Sequence, residues 1–266
     1  MHVIAVLGAG VMGETLLSGL IRAGRRPEDL IVAEKRPDRA EELRARYGVE
    51  VVLPVVAARR ADTVLLVVKP QDMGNLLDSI AGEIQPHALV VSLAAGVTTS
   101  YLESRLPVGT SVVRVMPNTP ALVDEGMAAL TPGAHCSEEQ LAHAEDLMRS
   151  VGKTIRIAEH LQDAVTAISG SGPAYIFFVV EAMIEAGVHL GLPRAMSTEL
   201  VVQTAFGAAA MLRETGEHPT VLREQVTSPA GTTAAALREL EVHRVRAAFL
   251  SAMQAARDRS RELGQT

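Results

Sequence analysis

Two short segments hold the residues whose types and spacing can do chemistry. Gly8-Ala9-Gly10-Val11-Met12-Gly13 is a G-x-G-x-x-G run. In such a run Gly8 permits a tight turn, Gly10 lets backbone approach a pyrophosphate, and Gly13 lets a helix pack closely on a strand. The phosphates then face the helix start formed by Val11, Met12 and Gly13. The second segment, Thr227-Ser228-Pro229-Ala230-Gly231-Thr232-Thr233, runs straight into Ala234-Ala235-Ala236-Leu237. Free N–H groups at that helix start form an anion site, flanked by the hydroxyls of Ser228, Thr232 and Thr233. Capping of the helix by the same hydroxyls is the structural alternative.

Three further groups belong with the glycine run. Glu34, Lys35 and Arg36 end the second strand, where an acidic residue would bind the ribose of NAD and a basic one would accommodate the extra phosphate of NADP. Two cations against one anion favour NADPH, with NADH as the alternative cofactor and ordinary solvated loop charges as the structural one. Val68-Lys69-Pro70 and Met116-Pro117-Asn118-Thr119-Pro120 each close a strand, which brings them to the same crevice, and the Asn118 amide can both donate and accept there; a surface lysine at 69 and a loop turn fixed by two prolines at 116–120 are the structural alternatives. Ser169-Gly170-Ser171-Gly172-Pro173 opens a long apolar helix with small residues that allow close backbone approach. No His/Asp, Cys/His or paired-carboxylate spacing supplies a strong general acid. His135, Cys136 and His143 lack a fourth ligand, so no metal is expected. A hydroxyacid dehydrogenase would need a lysine or histidine to move the alcohol proton, and Lys153 instead opens a strand.

The elements that must position these residues follow from periodicity. Short β-branched runs at 3–7, 30–33, 64–68, 89–93, 111–115 and 154–157 alternate with helical stretches. That alternation is the pattern of a parallel sheet covered on both faces. Helices at 12–23 and 38–47 end at Gly24 and Gly48, and Pro37 precedes the second. After residue 160 the strand signals stop, and Ala-rich helices are expected at 173–190, 194–214, 232–240 and 242–263. The fold class is therefore α/β: a Rossmann-like, doubly wound, mostly parallel sheet over 1–158, then an all-helical domain over 159–266. Two of its helices are apolar on more than one face, which predicts a helical subunit interface or, alternatively, packing against the first domain.

Composition narrows the class further. The 266 residues are 48% hydrophobic and 21% charged, enough for a large core and against disorder. A net charge of -6 removes the bulk electrostatic case for nucleic acid. One cysteine, Cys136, cannot make an internal disulfide, so the cytoplasm is the expected compartment. The start of the chain has no basic leader or cleavage site of the secretory kind. The most apolar stretch, 174–180, reads as too short for a membrane span of about 20 residues and as a buried helix instead.

Taken together, the glycine run, Val68-Lys69-Pro70, Met116-Pro117-Asn118-Thr119-Pro120, Ser169-Gly170-Ser171-Gly172-Pro173-Ala174-Tyr175 and the 227–233 loop resemble the pyrroline-5-carboxylate reductase family along essentially the whole chain. The resemblance implies an N-terminal Rossmann domain, a helical dimerisation domain, association into dimers or larger rings, and use of NADPH. It also implies reduction of the cyclic imine 1-pyrroline-5-carboxylate to proline. Carried over, Gly231, Thr232 and Thr233 bind the substrate carboxylate, and Thr233 also bonds the ring nitrogen as the catalytic hydroxyl. Asn118 and Ser228 complete the substrate site. Ala230 stands where many members carry a glycine, and Pro54 where a small polar residue is expected near the adenosine ribose.

Overall fold

The computed structural model describes residues 2–264. Eight strands form one sheet: β1 (Ile4–Leu7), β2 (Leu30–Ala33), β3 (Glu50–Val52), β4 (Thr63–Leu66), β5 (Leu89–Ser92), β6 (Ser111–Met116), β7 (Gly126–Pro132) and β8 (Gly152–Arg156), in the order β3-β2-β1-β4-β5-β6-β7-β8. All neighbours are parallel except β6 and β7. Helices α1 (Val11–Arg22), α2 (Pro37–Tyr47), α3 (Pro54–Arg60), α4 (Pro70–Ile80), α5 (Thr99–Arg105) and α6 (Glu138–Arg149) connect them.

Strand alternation assigns the two faces. Ile4, Val6, Leu30, Val32 and Leu65 point to one core with Leu16 and Leu20 of α1, Leu43 of α2 and Leu147 of α6. Ala5, Leu7, Ile31, Val64 and Leu66 point to the other, with Ala57 of α3, Leu77 of α4 and Leu102 of α5. Burial on both faces is what makes these strands continuously apolar. The order reverses between β1 and β4, and the crevice at their carboxyl ends is the switch point at which open α/β sheets bind ligands.

Two strands and one helix lie outside the pattern read from the sequence. β3 has three residues at the sheet edge. β7 is Ala-rich and ends in Pro132, so its extended form comes from pairing with β6 and β8, not from propensity. The helix α10 (Pro219–Gln225) occupies a stretch read partly as a break, starting at its own first-turn proline.

The chain divides into two compact units, one running to Ser171 and resuming at Ala256, the other spanning Gly172–Ala255. Residues 159–171 fall with the first unit and are stitched to the sheet. Gln162, fully buried in α7 (Gln162–Val165), donates to Thr131 Oγ1 at 2.8 Å.

The second unit holds α8 (Gly172–His189), α9 (Arg194–Thr215), α10, α11 (Thr232–Val242) and most of α12 (Val245–Leu263). A short turn folds α8 and α9 into a helical hairpin in which buried Ser197 donates to Ile184 O at 2.9 Å. Arg194 pairs with Glu185 at 2.7 Å across the same turn. Stretch 174–180 is not buried as expected: Phe178 is 72% exposed, and Phe206 of α9 is 64% exposed. The apolar run continues as helix, and by length and composition Glu159–His189 and Arg194–Thr215 are each able to cross a bilayer.

Candidate functional site

The dinucleotide crevice is built where β1, β2 and β4 end. Gly8 N donates to Ala33 O at 3.0 Å, and Val67 N donates to Leu7 O at 2.9 Å, so the three strand exits converge. Gly8 has φ +102, and a Cβ there would lie 2.5 Å from Val67 O; one on Gly13 would lie 2.0 Å from Gly8 O. Both glycines are therefore enforced by backbone approach. A Cβ on Gly10 would meet nothing within 4 Å, so the turn offers open backbone to a ligand. Gly10 caps α1 without a side-chain bond, leaving the first-turn N–H groups of Val11, Met12 and Gly13 for an anion.

Glu14 sits in the same turn, and its charge opposes a phosphate. Tyr47 Oη donates to its Oε1 at 2.8 Å, Arg46 lies 3.1 Å away, and Arg39 pairs with its Oε2. Burial pushes the Glu14 carboxyl up, yet these partners outweigh it and hold the group below its ordinary value. The carboxylate is thus neutralised locally.

At the end of β2, Glu34 turns back into its own loop, accepting from Arg36 N at 3.0 Å, with Arg36 Nε 3.5 Å away. Lys35 and Arg36 are exposed. Val68 is half-buried, while Lys69, the N-cap of α4, and Pro70, its first residue, are exposed at the β4 exit beside Gly8. Pro54 serves as the first-turn proline of α3.

Asn118 sits at the end of β6, where its amide is hydrogen-bonded at both ends. Its Nδ2 donates to Ser169 O and Oγ at 3.2 and 3.3 Å, and its Oδ1 accepts from Met127 N at 2.8 Å. The amide thus joins β6, β7 and Ser169, and its Oδ1 keeps a second lone pair. His143 shares the Thr63 hydroxyl with His2, while half-buried Cys136 has its thiol pushed up to about 11, chiefly by burial, and stays protonated.

In the second unit the 227–233 loop is closed by Thr227 Oγ1 donating to Arg223 O at 2.6 Å and Gly231 N donating to Ser228 O at 3.0 Å. The Gly231 N–H is thus spent inside the turn. The free first-turn donors of α11 are those of Thr232, Thr233 and Ala234, one residue further on than expected. Ala230 takes φ +56, the left-handed region that a glycine adopts without penalty. Gly231 caps α11 with no side-chain bond, so Ser and Thr capping does not account for the loop. Thr204 and Thr215 bond back to carbonyls four residues earlier, at 2.7 and 2.8 Å. The half-buried Thr233 hydroxyl makes no hydrogen bond among the described residues, and Ser228 and Thr232 are exposed.

Sequence reasoning also missed Arg114, a buried cation on β6 that donates to Glu159 at 2.7 Å. An arginine inside a buried strand was the available signal.

A glycine cradle at the switch point of this sheet, followed by a separate helical unit, defines a nicotinamide-dinucleotide oxidoreductase. The model for pyrroline-5-carboxylate reductase dimerisation matches residues 159–263, and that for NADP oxidoreductase, coenzyme F420-dependent, matches 3–96. The pyrroline-5-carboxylate reductase of Corynebacterium melassecola is 48% identical, with all of both chains covered. Among solved structures, the pyrroline-5-carboxylate reductase of Coxiella burnetii matches with a TM-score of 0.91 and 38% identity, over 99% of this chain and 98% of that one. The pyrroline carboxylate reductase of Plasmodium falciparum with NADP bound matches at 0.89 and 29%, with the same coverage. The chain belongs to the pyrroline-5-carboxylate reductase family.

Proposed function

We propose that the chain reduces 1-pyrroline-5-carboxylate to L-proline with NAD(P)H, preferring NADPH, as the last step of proline biosynthesis. The observation that carries this reading is the start of α11, where a helix terminus without a side-chain cap and a hydroxyl without a hydrogen-bond partner among the described residues coincide. A carboxylate gains about 0.3 to 1 kcal/mol from the helix dipole. Each N–H bond to a charged acceptor contributes about 1.5 to 3 kcal/mol, so the Thr232, Thr233 and Ala234 N–H groups dominate binding. The Thr233 hydroxyl bonds the ring nitrogen and orients the C=N bond.

Gly8, Gly10 and the first turn of α1 hold the pyrophosphate, and Val68, Lys69 and Pro70 border the cofactor. When bound, the reduced nicotinamide supplies the hydride. Glu34 is held by its own loop and pairs with Arg36 at 3.5 Å, and the exposed Lys35 and Arg36 bring the positive charge that faces a ribose phosphate. The second unit self-associates through α8 and α9, and their exposed apolar residues belong to that interface and not to a membrane. A cytosolic location accords with a single protonated thiol.

Steady-state turnover with cyclic imines of two ring sizes, each with NADPH and NADH, tests the reading. The five-membered imine acid with NADPH should give the highest kcat/KM, and neutralising Lys35 and Arg36 should raise the NADPH KM more than the NADH KM. No turnover with any imine acid would refute it.

A further inference from the structure

The loop leaving β5, residues 93–98, lies beside the β4 exit, with Leu93 N donating to Leu66 O at 3.0 Å. It therefore forms the next part of the crevice rim after Val68-Lys69-Pro70. Gly96 in that loop has φ +77, and a Cβ on it would come within 3.3 Å of Gly264 N. Conversely, a Cβ on Gly264 would stand 2.8 Å from Gly96 O. Here the end of the chain's last helix rests backbone on backbone against the rim, with no side chain between to yield.

The contact is braced from both sides. Ser260, only 5% exposed in the last turns of α12, donates to Asp163 Oδ1 at 2.7 Å, and Arg261 lies 3.7 Å from the same carboxylate. Four residues before Asp163, Glu159 accepts from Arg114 at 2.7 Å and from Thr99 N, the first residue of α5, at 3.4 Å. One short helical stretch thus grips α12 through Asp163 and the far end of the 93–98 loop through Glu159. Leu263 and Gly264 also wall a cavity of about 610 Å³ shared with Pro70, Gln71, Gly96 and Tyr101, so the helix end and the cofactor-side Pro70 border one space.

We propose that the last turns of α12, through Gly264 on Gly96 and Ser260 on Asp163, set the 93–98 loop as a wall of the dinucleotide crevice, making Ser260 and Gly264 positioning residues for cofactor binding. The inference rests on the cofactor reading above. Neither residue touches the reacting atoms. Gly264→Ala adds one methyl against Gly96 O, and Ser260→Ala deletes one buried bond without adding volume.

The test is titration of NADPH by nicotinamide fluorescence, beside melting curves and steady-state kinetics, for wild type, both variants and Ser260→Thr. Both alanine variants should raise the NADPH Kd and KM by about threefold or more, with kcat at saturating cofactor within about twofold of wild type. Melting temperatures should stay within about 2 °C, and Ser260→Thr should bind NADPH like wild type. Unchanged NADPH Kd in Ser260→Ala overturns the proposal, even if the melting temperature falls, and decides the matter alone if Gly264→Ala does not fold. A wild type that binds no dinucleotide would overturn the cofactor reading itself.

Discussion

Thr233 stands at a helix start with its hydroxyl uncommitted among the described residues, whereas Thr198, Thr204 and Thr215, deeper in α9, spend theirs on carbonyls one turn back. Its role is therefore testable separately from folding. Thr233→Ala should lower turnover by more than about tenfold, roughly 1.4 kcal/mol of transition-state stabilisation, while NADPH affinity stays near wild type. Single-turnover reduction beside cofactor titration reads both, and full rate in Thr233→Ala would reduce the hydroxyl to a bystander. The neighbouring residues illustrate what single positions reveal in a sequence. The helix start was legible from small residues before an alanine run. That Gly231 spends its N–H on Ser228 was not, because the bond depends on how the loop closes, and the bonds from Asn118 to Ser169 and Met127 were hidden for the same reason.

At the scale of elements, the amino ends of the central strands, opposite the crevice, carry a titratable cluster joining β1, β4 and α6. The Thr63 hydroxyl bonds His2 at 2.9 Å and His143 at 3.2 Å, and the two rings meet edge to face at 4.5 Å. Burial comes first in lowering both histidines below the usual imidazole value; Asp62 partly opposes this for His2, and Asp146 for His143. The unfolded chain then binds protons that the folded chain resists, so this contribution is present above about pH 6.5, the unfolded value, and is lost as pH falls from there through the lowered folded values. Urea melts at pH 7.5 and 5.5 should give a lower midpoint at the acid pH, and His143→Asn should narrow the gap. An equal gap in that variant would rule the cluster out as its source.

The elements themselves were legible to different depths. Strands such as β1, buried on both faces, and helices such as α2, with a starting proline and terminal glycine, announce themselves. β7 does not, because an alanine-rich strand owes its form to its neighbours.

Across the whole molecule, the hydrophobic surplus read from composition goes to two places, the sheet's paired cores and the uncovered faces of α8 and α9. Composition cannot divide it between them, nor foresee that the chain's last turns rejoin the first unit. Phe177 and Phe178 are exposed within the chain, and covering one phenylalanine is worth about 1.5 to 3 kcal/mol. Phe178→Asp should shift light scattering of dilute protein toward a monomer, and an unchanged oligomer would exclude this face from the interface. The central claim is that hydride passes from the nicotinamide to the imine carbon of a carboxylate-bearing ring. Mass spectrometry of the product formed from NADPH deuterated at the transferring position tests it most directly. The account predicts proline carrying one deuterium, on the ring carbon formerly double-bonded to nitrogen; proline without deuterium, or no proline, would contradict it.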